Sequence, residues 1–246
     1  MKSRFTGLSD PGLLRPVNQD AYYIDPEGRF FIVADGMGGH AGGEEASAIA
    51  AKVIQNYLNE HWNSQEKSPA LLEAAFWKAN QAILQDQREH PERSDMGTTA
   101  VVLLFRENYQ LVAHVGDSRL YRLRDSLLEK ITEDHTWVAR AQKAGVLNAK
   151  EARVHPWRHM LSQCLGREDL GQVEIQALEV KTGDRLLLCS DGLTEELSDQ
   201  AIASHLDAPL CENAASALVE AAKEQGGRDN ITVVIVAIDA VNEKQA

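Results

Sequence analysis

A chain of 246 residues with 43% apolar side chains can bury a substantial core and is read as one domain, residues 1–246. Its formal net charge of −12 argues against nucleic acid or an anionic membrane as a partner, because both need a basic footprint. Cys164, Cys189 and Cys211 form no C-x-x-C pair, which suits a reducing cytoplasm, and no apolar run reaches the roughly 18 residues of a membrane span. Met1 to Leu8 also lack an apolar run of signal-peptide length.

In chain order, Tyr22–Asp25 and Phe30–Ala34 flank Pro26-Glu27-Gly28 and predict a hairpin. Gly42 and Gly43 precede a helix whose apolar positions, Ala46, Ile49, Ala50, Val53 and Tyr57, fall three and four apart. Leu72, Ala75, Phe76, Ala79 and Ile83 repeat the spacing in a second helix. The runs Thr99–Phe105, Gln110–Val115, Leu120–Leu123 and Leu127–Ile131 follow with connections too short for crossover helices, which predicts an antiparallel meander. Residues 134 to 170 read as helical or irregular. After them come a strand at Arg185–Cys189, a helix over Asn213 to Glu224 and an apolar strand at Ile231–Ile238. Strands apolar on both faces, with amphipathic helices to cover them, imply an α+β class with stacked sheets between helix layers.

Five aspartates stand out: Asp20, Asp35, Asp117, Asp191 and Asp229. Asp35, Asp117 and Asp191 end or closely follow strand-like runs, and a glycine adjoins each. Gathered at the edge of a core, such anions would protonate or hold cations. An all-oxygen donor set points to magnesium or manganese, or to calcium in a more complete cage, rather than zinc. A single aspartate reads as a turn former or helix cap; five in this context do not.

Other phosphate chemistries leave signatures that do not fit. Gly36-Met37-Gly38-Gly39-His40-Ala41 satisfies the dinucleotide fingerprint, but the helix after it runs into Asn59-Glu60-His61 rather than a strand, and Asp35 would repel a pyrophosphate. No Gly-Lys dipeptide exists for a P-loop, and no cysteine has arginine six positions on for a thiolate phosphatase.

Arg15-Pro16-Val17-Asn18-Gln19-Asp20, Asp35-Gly36-Met37-Gly38-Gly39, Gly97-Thr98-Thr99-Ala100, Gly116-Asp117-Ser118-Arg119, Ser190-Asp191-Gly192 and Arg228-Asp229-Asn230-Ile231-Thr232 occur in one order over nearly the whole chain. In that order and spacing they resemble the PPM (type 2C) metal-dependent serine/threonine protein phosphatases. The likeness is to bacterial members, with cyanobacterial ones such as the PII phosphatase as the expected nearest kin. It implies a four-layer sandwich of two antiparallel sheets between helices, with two Mn2+ or Mg2+ ions and a weaker third ion.

By the same resemblance Asp35 bridges two metals, the Gly36 carbonyl binds one, Asp191 and Asp229 complete the other, and Asp20 lies beside the pair. Asp117, with Asp191, matches the third site, and Arg15 matches the clamp on the substrate phosphate. Hydroxide between the metals would attack phosphoserine or phosphothreonine directly. The family's eukaryotic members have histidine where this chain has Met37, so His40 is the candidate proton donor or substrate-orienting group. The remaining histidines, among them His114, His135 and His159, read as surface or structural. Residues 134 to 165 match a mobile flap that influences substrate choice. The implied partners are phosphorylated proteins, the PII signalling protein among the candidates, acted on by a cytoplasmic monomer. The rival reading is a non-catalytic module that binds metal or phosphoproteins; the intact set Asp35, Asp191 and Asp229 favours the enzyme.

Overall fold

The structure, a computed structural model, describes residues 2–38, 42–107 and 109–239. Two antiparallel sheets stack face to face. The first is ordered β1 (Lys2–Asp10), β11 (Ile231–Asp239), β10 (Arg185–Cys189), β7 (Arg119–Arg124), β8 (Leu127–Lys130). In the second, β2 (Asp20–Ile24), β3 (Phe30–Met37), β5 (Ala100–Arg106), β6 (Tyr109–Val115) and β9 (Glu174–Ala177) follow one another, and the two-residue β4 (Gly97–Thr98) pairs with the end of β3.

Strand periodicity explains why both sheets are buried on two faces. In β3, Phe30, Ile32 and Ala34 point to the helices while Phe31 and Val33 point to the other sheet. In β11, Ile231, Val233, Ile235 and Ala237 face helices and Val234, Val236 and Ile238 face the partner sheet. Alternation within an all-apolar run thus serves two cores at once, which is why those runs read as continuous hydrophobics.

The outer layers are helical. α1 (Gly42–Glu60) and α2 (Ser68–Glu89) cover the second sheet, and the three- and four-residue spacing lays Ala46, Ala50, Leu72, Ala75, Phe76, Ala79 and Ile83 into its core. Pro69 in the first turn of α2 leaves no needed N–H unmade. α5 (Asp191–Glu196), α6 (Asp199–Leu206) and α7 (Cys211–Gln225) cover the first sheet through Leu193, Ile202, Leu206, Leu218 and Ala222. The result is the expected helix–sheet–sheet–helix sandwich. No described helix is long and apolar enough to cross a membrane.

One expectation is corrected. The four runs from Thr99 to Ile131 do not form a single meander: β5 and β6 belong to the second sheet and β7 and β8 to the first. The chain changes sheet at Gly116-Asp117-Ser118, where Gly116 adopts φ +104°. A short connection forbids a crossover helix, but it does not require that both strands share a sheet.

Between β8 and β9 the chain carries α3 (Trp137–Lys143) and α4 (Ala149–Val154). This segment is pinched at its base by a bridge between Thr136 and Leu161, with Trp137 N–H donating to Met160 O at 2.8 Å and Ser162 N–H to His135 O at 2.8 Å. Within it Trp137 stacks on His155 at 4.9 Å and meets Trp157 edge-on at 5.0 Å.

Candidate metal centre

The acids come together because strand ends from both sheets open on the same side. Asp20 begins β2 and lies directly across from Asp35 in the β2–β3 ladder. Two like charges in that register repel. Asp117 follows β6, while β10 and β11 are antiparallel neighbours, so Asp191 just after β10 and Asp229 just before β11 meet at one end. Ser190 joins the two sheets: its Oγ donates to Asp20 Oδ2 at 2.7 Å and accepts from Thr232 N–H at 3.0 Å.

Burial in each other's company raises the carboxyls of Asp20, Asp35, Asp117 and Asp191. Burial is the main cause for Asp35, and the charges of Asp20, Asp191, Asp117 and Asp229 add to it, so its carboxyl is pushed well above the usual range. Asp117 is pushed well up by burial and then by Asp191 and Asp134. Asp191 is raised by burial and Asp229, and lies close enough to Asp35 to share a hydrogen bond. Asp20 is pushed up to about 7, by burial first, against the opposing hydrogen bonds from Thr232 and Ser190. Its Oδ1 is buried without a hydrogen-bond partner. A buried oxygen left open among repelling acids fits a cation far better than it fits the protein alone.

Backbone close approach shapes the same corner. A Cβ on Gly36 would lie 1.9 Å from the Gly43 carbonyl oxygen, so no other residue fits where β3 runs against the start of α1. A Cβ on Gly192 would likewise meet Asn230 O at 2.0 Å. The Gly97-Thr98-Thr99 and Gly116-Asp117-Ser118 motifs are joined beneath the acids. Thr99 Oγ1 accepts from Asp35 N–H at 3.0 Å and lies 2.6 Å from Ser118 Oγ, while Thr98 Oγ1 donates to Asp35 O at 2.8 Å.

Arg15 is half-exposed, and its Nη2 pairs with Asp229 Oδ2 at 2.7 Å. The loop that carries it is stapled by Asn230, whose Oδ1 accepts from Gln19 N–H at 2.7 Å and whose Nδ2 donates to Pro11 O and Val17 O, both at 3.0 Å. His40 lies outside the described residues. All the other expected site residues, Arg15, Asp20, Asp35, Gly36, Asp117, Asp191 and Asp229, fall at this corner.

His159 reads from the sequence as surface or structural, and the structure leaves it exposed but places it beside the acids. Its Nδ1 lies within hydrogen-bond distance of Glu195 Oε1 and 4.0 Å from Asp191 Oδ2. Burial, then the nearby Arg158, lower His159, while burial and Asp191 push Glu195 up to about 7. No local pattern could have shown this, since His159 precedes Asp191 by 32 positions and arrives on the excursion between β8 and β9. A second group, His114, His135 and Glu174, also brings ligand-type atoms together. Most of its hydrogen-bonding capacity is already used. His135 Nδ1 accepts from Gly116 N–H at 3.2 Å, so its Nε2 carries the proton toward Glu174, and His114 Nε2 bonds to Glu133 O.

Comparison with known proteins shows the family of the fold. The family model described as protein phosphatase 2C matches residues 16–225. The serine/threonine protein phosphatase PstP of Mycobacterium tuberculosis is 37% identical over 94% of this chain, which spans 44% of PstP, less than half its length. Protein phosphatase PhpP of Streptococcus pneumoniae is 36% identical over 97% of this chain and 98% of its own. A crystal structure of the catalytic domain of PstP in complex with two manganese ions superposes with TM-score 0.85 at 35% identity, covering 97% of this chain and 99% of that one. With the matched family model spanning the acid-bearing strand ends from Asp20 to Asp191, the chain belongs to the protein phosphatase 2C family.

Proposed function

We propose that this chain is a metal-dependent protein serine/threonine phosphatase, a single domain in which residues 134–165 act as the flap. The observation that carries the reading is the convergence of Asp20, Asp117, Asp191 and Asp229 on Asp35, with a buried oxygen of Asp20 left unpaired. In this reading Asp35, the Gly36 carbonyl, Asp191 and Asp229 hold two Mn2+ or Mg2+ ions with Asp20 beside them, and Asp117 serves a third. The manganese-bound PstP domain supports that choice of ion. Divalent cations so held would lower the pKa of water between them and offset the negative charge of an arriving phosphate.

The chain's own residues supply orientation and protons. Arg15 spends one N–H on Asp229 and keeps further donors of its planar fork for the oxygens of a phosphate monoester. His40 is proposed to protonate the leaving serine or threonine alkoxide. Among the described residues, the cysteines and Ser190 are poor nucleophiles for a covalent route. Burial pushes the Cys164 thiol up to about 11 and the Cys189 thiol up to about 12, and Ser190 Oγ is fully buried between Asp20 and Thr232. Substrates are phosphorylated proteins, the phosphorylated PII protein being a candidate from sequence likeness alone. Buried free cysteines support a cytoplasmic setting, and a monomer is the family default.

The test is release of phosphate from p-nitrophenyl phosphate and from a phosphothreonine peptide with manganese, magnesium or chelator. Activity is expected with either ion and none with chelator. A chain that binds manganese without turnover would instead be the non-catalytic module. Replacing Arg15 by Ala is expected to raise KM for the peptide roughly 10- to 100-fold, the worth of a charge-assisted bond, with a smaller change in kcat. An unchanged KM removes Arg15 as the clamp.

A further inference from the structure

A cleft of about 990 Å³ lies between the segment carrying α3 and α4 and the start of α5 and α6, and its lining includes Asp117 and Asp191. Whatever fills it is therefore continuous with the acid centre. Most of its charged lining is already committed. Arg119 and Lys130 hold Asp134 at 2.7 and 3.1 Å, and Arg228 holds Glu196 at 2.9 Å. Glu195 faces His159, and Asp199 sits in the first turn of α6, where the helix dipole favours an anion.

Arg153 and Arg158 differ from these. Both are exposed on the cleft and make no ion pair or side-chain hydrogen bond among the described residues. The charge of Arg158 reaches His159 and Glu195 without a bond to either. Their supports are ordered. Arg158 follows Trp157 in the aromatic cluster with Trp137 and His155, and Arg153 is in the last turn of α4, whose first turn is closed by a capping box between Asn148 and Glu151.

A lone exposed arginine is common. Two uncommitted ones on one wall of a cleft that opens on the acid centre, in a chain of net charge −12, create a local cationic edge on a protein that otherwise repels anions. The occupant that matches is an anion attached to the substrate.

We propose that Arg153 and Arg158 bind acidic side chains flanking the phosphorylated residue of a protein substrate, so that acidic phosphosites are preferred. The proposal rests on the phosphatase reading and names a substrate class for it. Neither arginine touches the reacting atoms in this account; both set specificity through the peptide.

The experiment uses the manganese-loaded full chain and two phosphothreonine peptides of equal length, one with glutamates and one with glutamines around the phosphothreonine. Wild type is expected to favour the glutamate peptide roughly five- to tenfold in kcat/KM at low salt, through KM, and to lose the preference at about 0.5 M salt, as exposed ion pairs do. The double variant Arg153→Gln, Arg158→Gln should bring the ratio to about one. Arg153→Glu with Arg158→Glu should turn the preference toward a lysine-flanked peptide, an inversion that a merely structural role would not produce. A ratio near one in wild type, or a preference that survives both double variants, overturns the proposal. Hydrolysis of p-nitrophenyl phosphate by wild type separates the two levels. If it proceeds while the peptide ratio is one, only the acidic-site inference fails. If it is absent with both ions, the phosphatase reading fails and takes this inference with it.

Discussion

Asp35→Asn is expected to cost at least about three orders of magnitude in turnover while making the metal-free protein more stable. Each tenfold loss corresponds to about 1.4 kcal/mol of transition-state stabilisation, and the proposed bridging carboxylate would contribute through both cations it would hold. Stability moves the other way because the charges of four other acids act on Asp35: Asp20 opposite it on β2, then Asp191, Asp117 and Asp229. An amide keeps the shape and removes the repulsion. Without metal, the variant should melt about 2–4 °C higher for each kcal/mol of strain relieved, the slope for a chain of this size. Wild type should gain about 2.7 kcal/mol from manganese at one hundred times its dissociation constant, and the variant should lose most of that gain. Thermal melts with chelator and with manganese, beside turnover assays, read both effects. A variant that melts lower than wild type in chelator, yet gains as much from manganese, would show that Asp35 is an ordinary structural acid.

Much of this centre was legible because its chemistry is written locally. An acid after an apolar run, with glycine beside it, marks a strand end where backbone must pass close, and the 1.9 Å contact that a Cβ at Gly36 would make is the physical content of that glycine. β3 and β11 were equally plain, since strands buried on both faces carry near-continuous apolar runs, Phe30–Ala34 and Val233–Ile238. What escaped was whatever is defined by a distant partner. β1 reads as polar, Lys-Ser-Arg-Phe-Thr, and becomes a strand by pairing along its whole length with β11, more than two hundred residues later. β9, four residues long, is recruited to the edge of the second sheet by β6. α5 begins at Asp191 itself, so the residue that ends one strand's run also opens a helix, and a periodicity of six residues is too short to announce it. The pairing of Arg15 with Asp229 spans 214 positions, and His159 reaches Asp191 on an excursion whose helices are short and bury few side chains.

Asn230 offers the sharpest test of how the loop bearing Arg15 is held. It is 4% exposed and serves three backbone groups of residues 11–19: it accepts from Gln19 N–H, and it donates to the carbonyls of Pro11 and Val17. Asn230→Ala leaves all three short of a partner, and at about 1 kcal/mol or more for each group that water cannot reach, the loss of stability should be about 2–4 kcal/mol. Asn230→Asp is the more telling change. It preserves the acceptor for Gln19 but sets a carboxylate oxygen against the Pro11 and Val17 carbonyls and adds an anion beside Asp229, so it should cost as much as alanine despite its near-identical shape. Both substitutions free Arg15 and the lead into Asp20, so kcat/KM for a phosphothreonine peptide should fall at least tenfold under conditions where the protein remains folded. Denaturant unfolding and steady-state kinetics measure the two effects separately. If aspartate at this position is tolerated within about 0.5 kcal/mol and activity is kept, the Nδ2 bonds to Pro11 and Val17 contribute nothing, and the loop is held by the bond from Gln19 N–H, the Leu13–Gly227 backbone bond and the ion pair between Arg15 and Asp229.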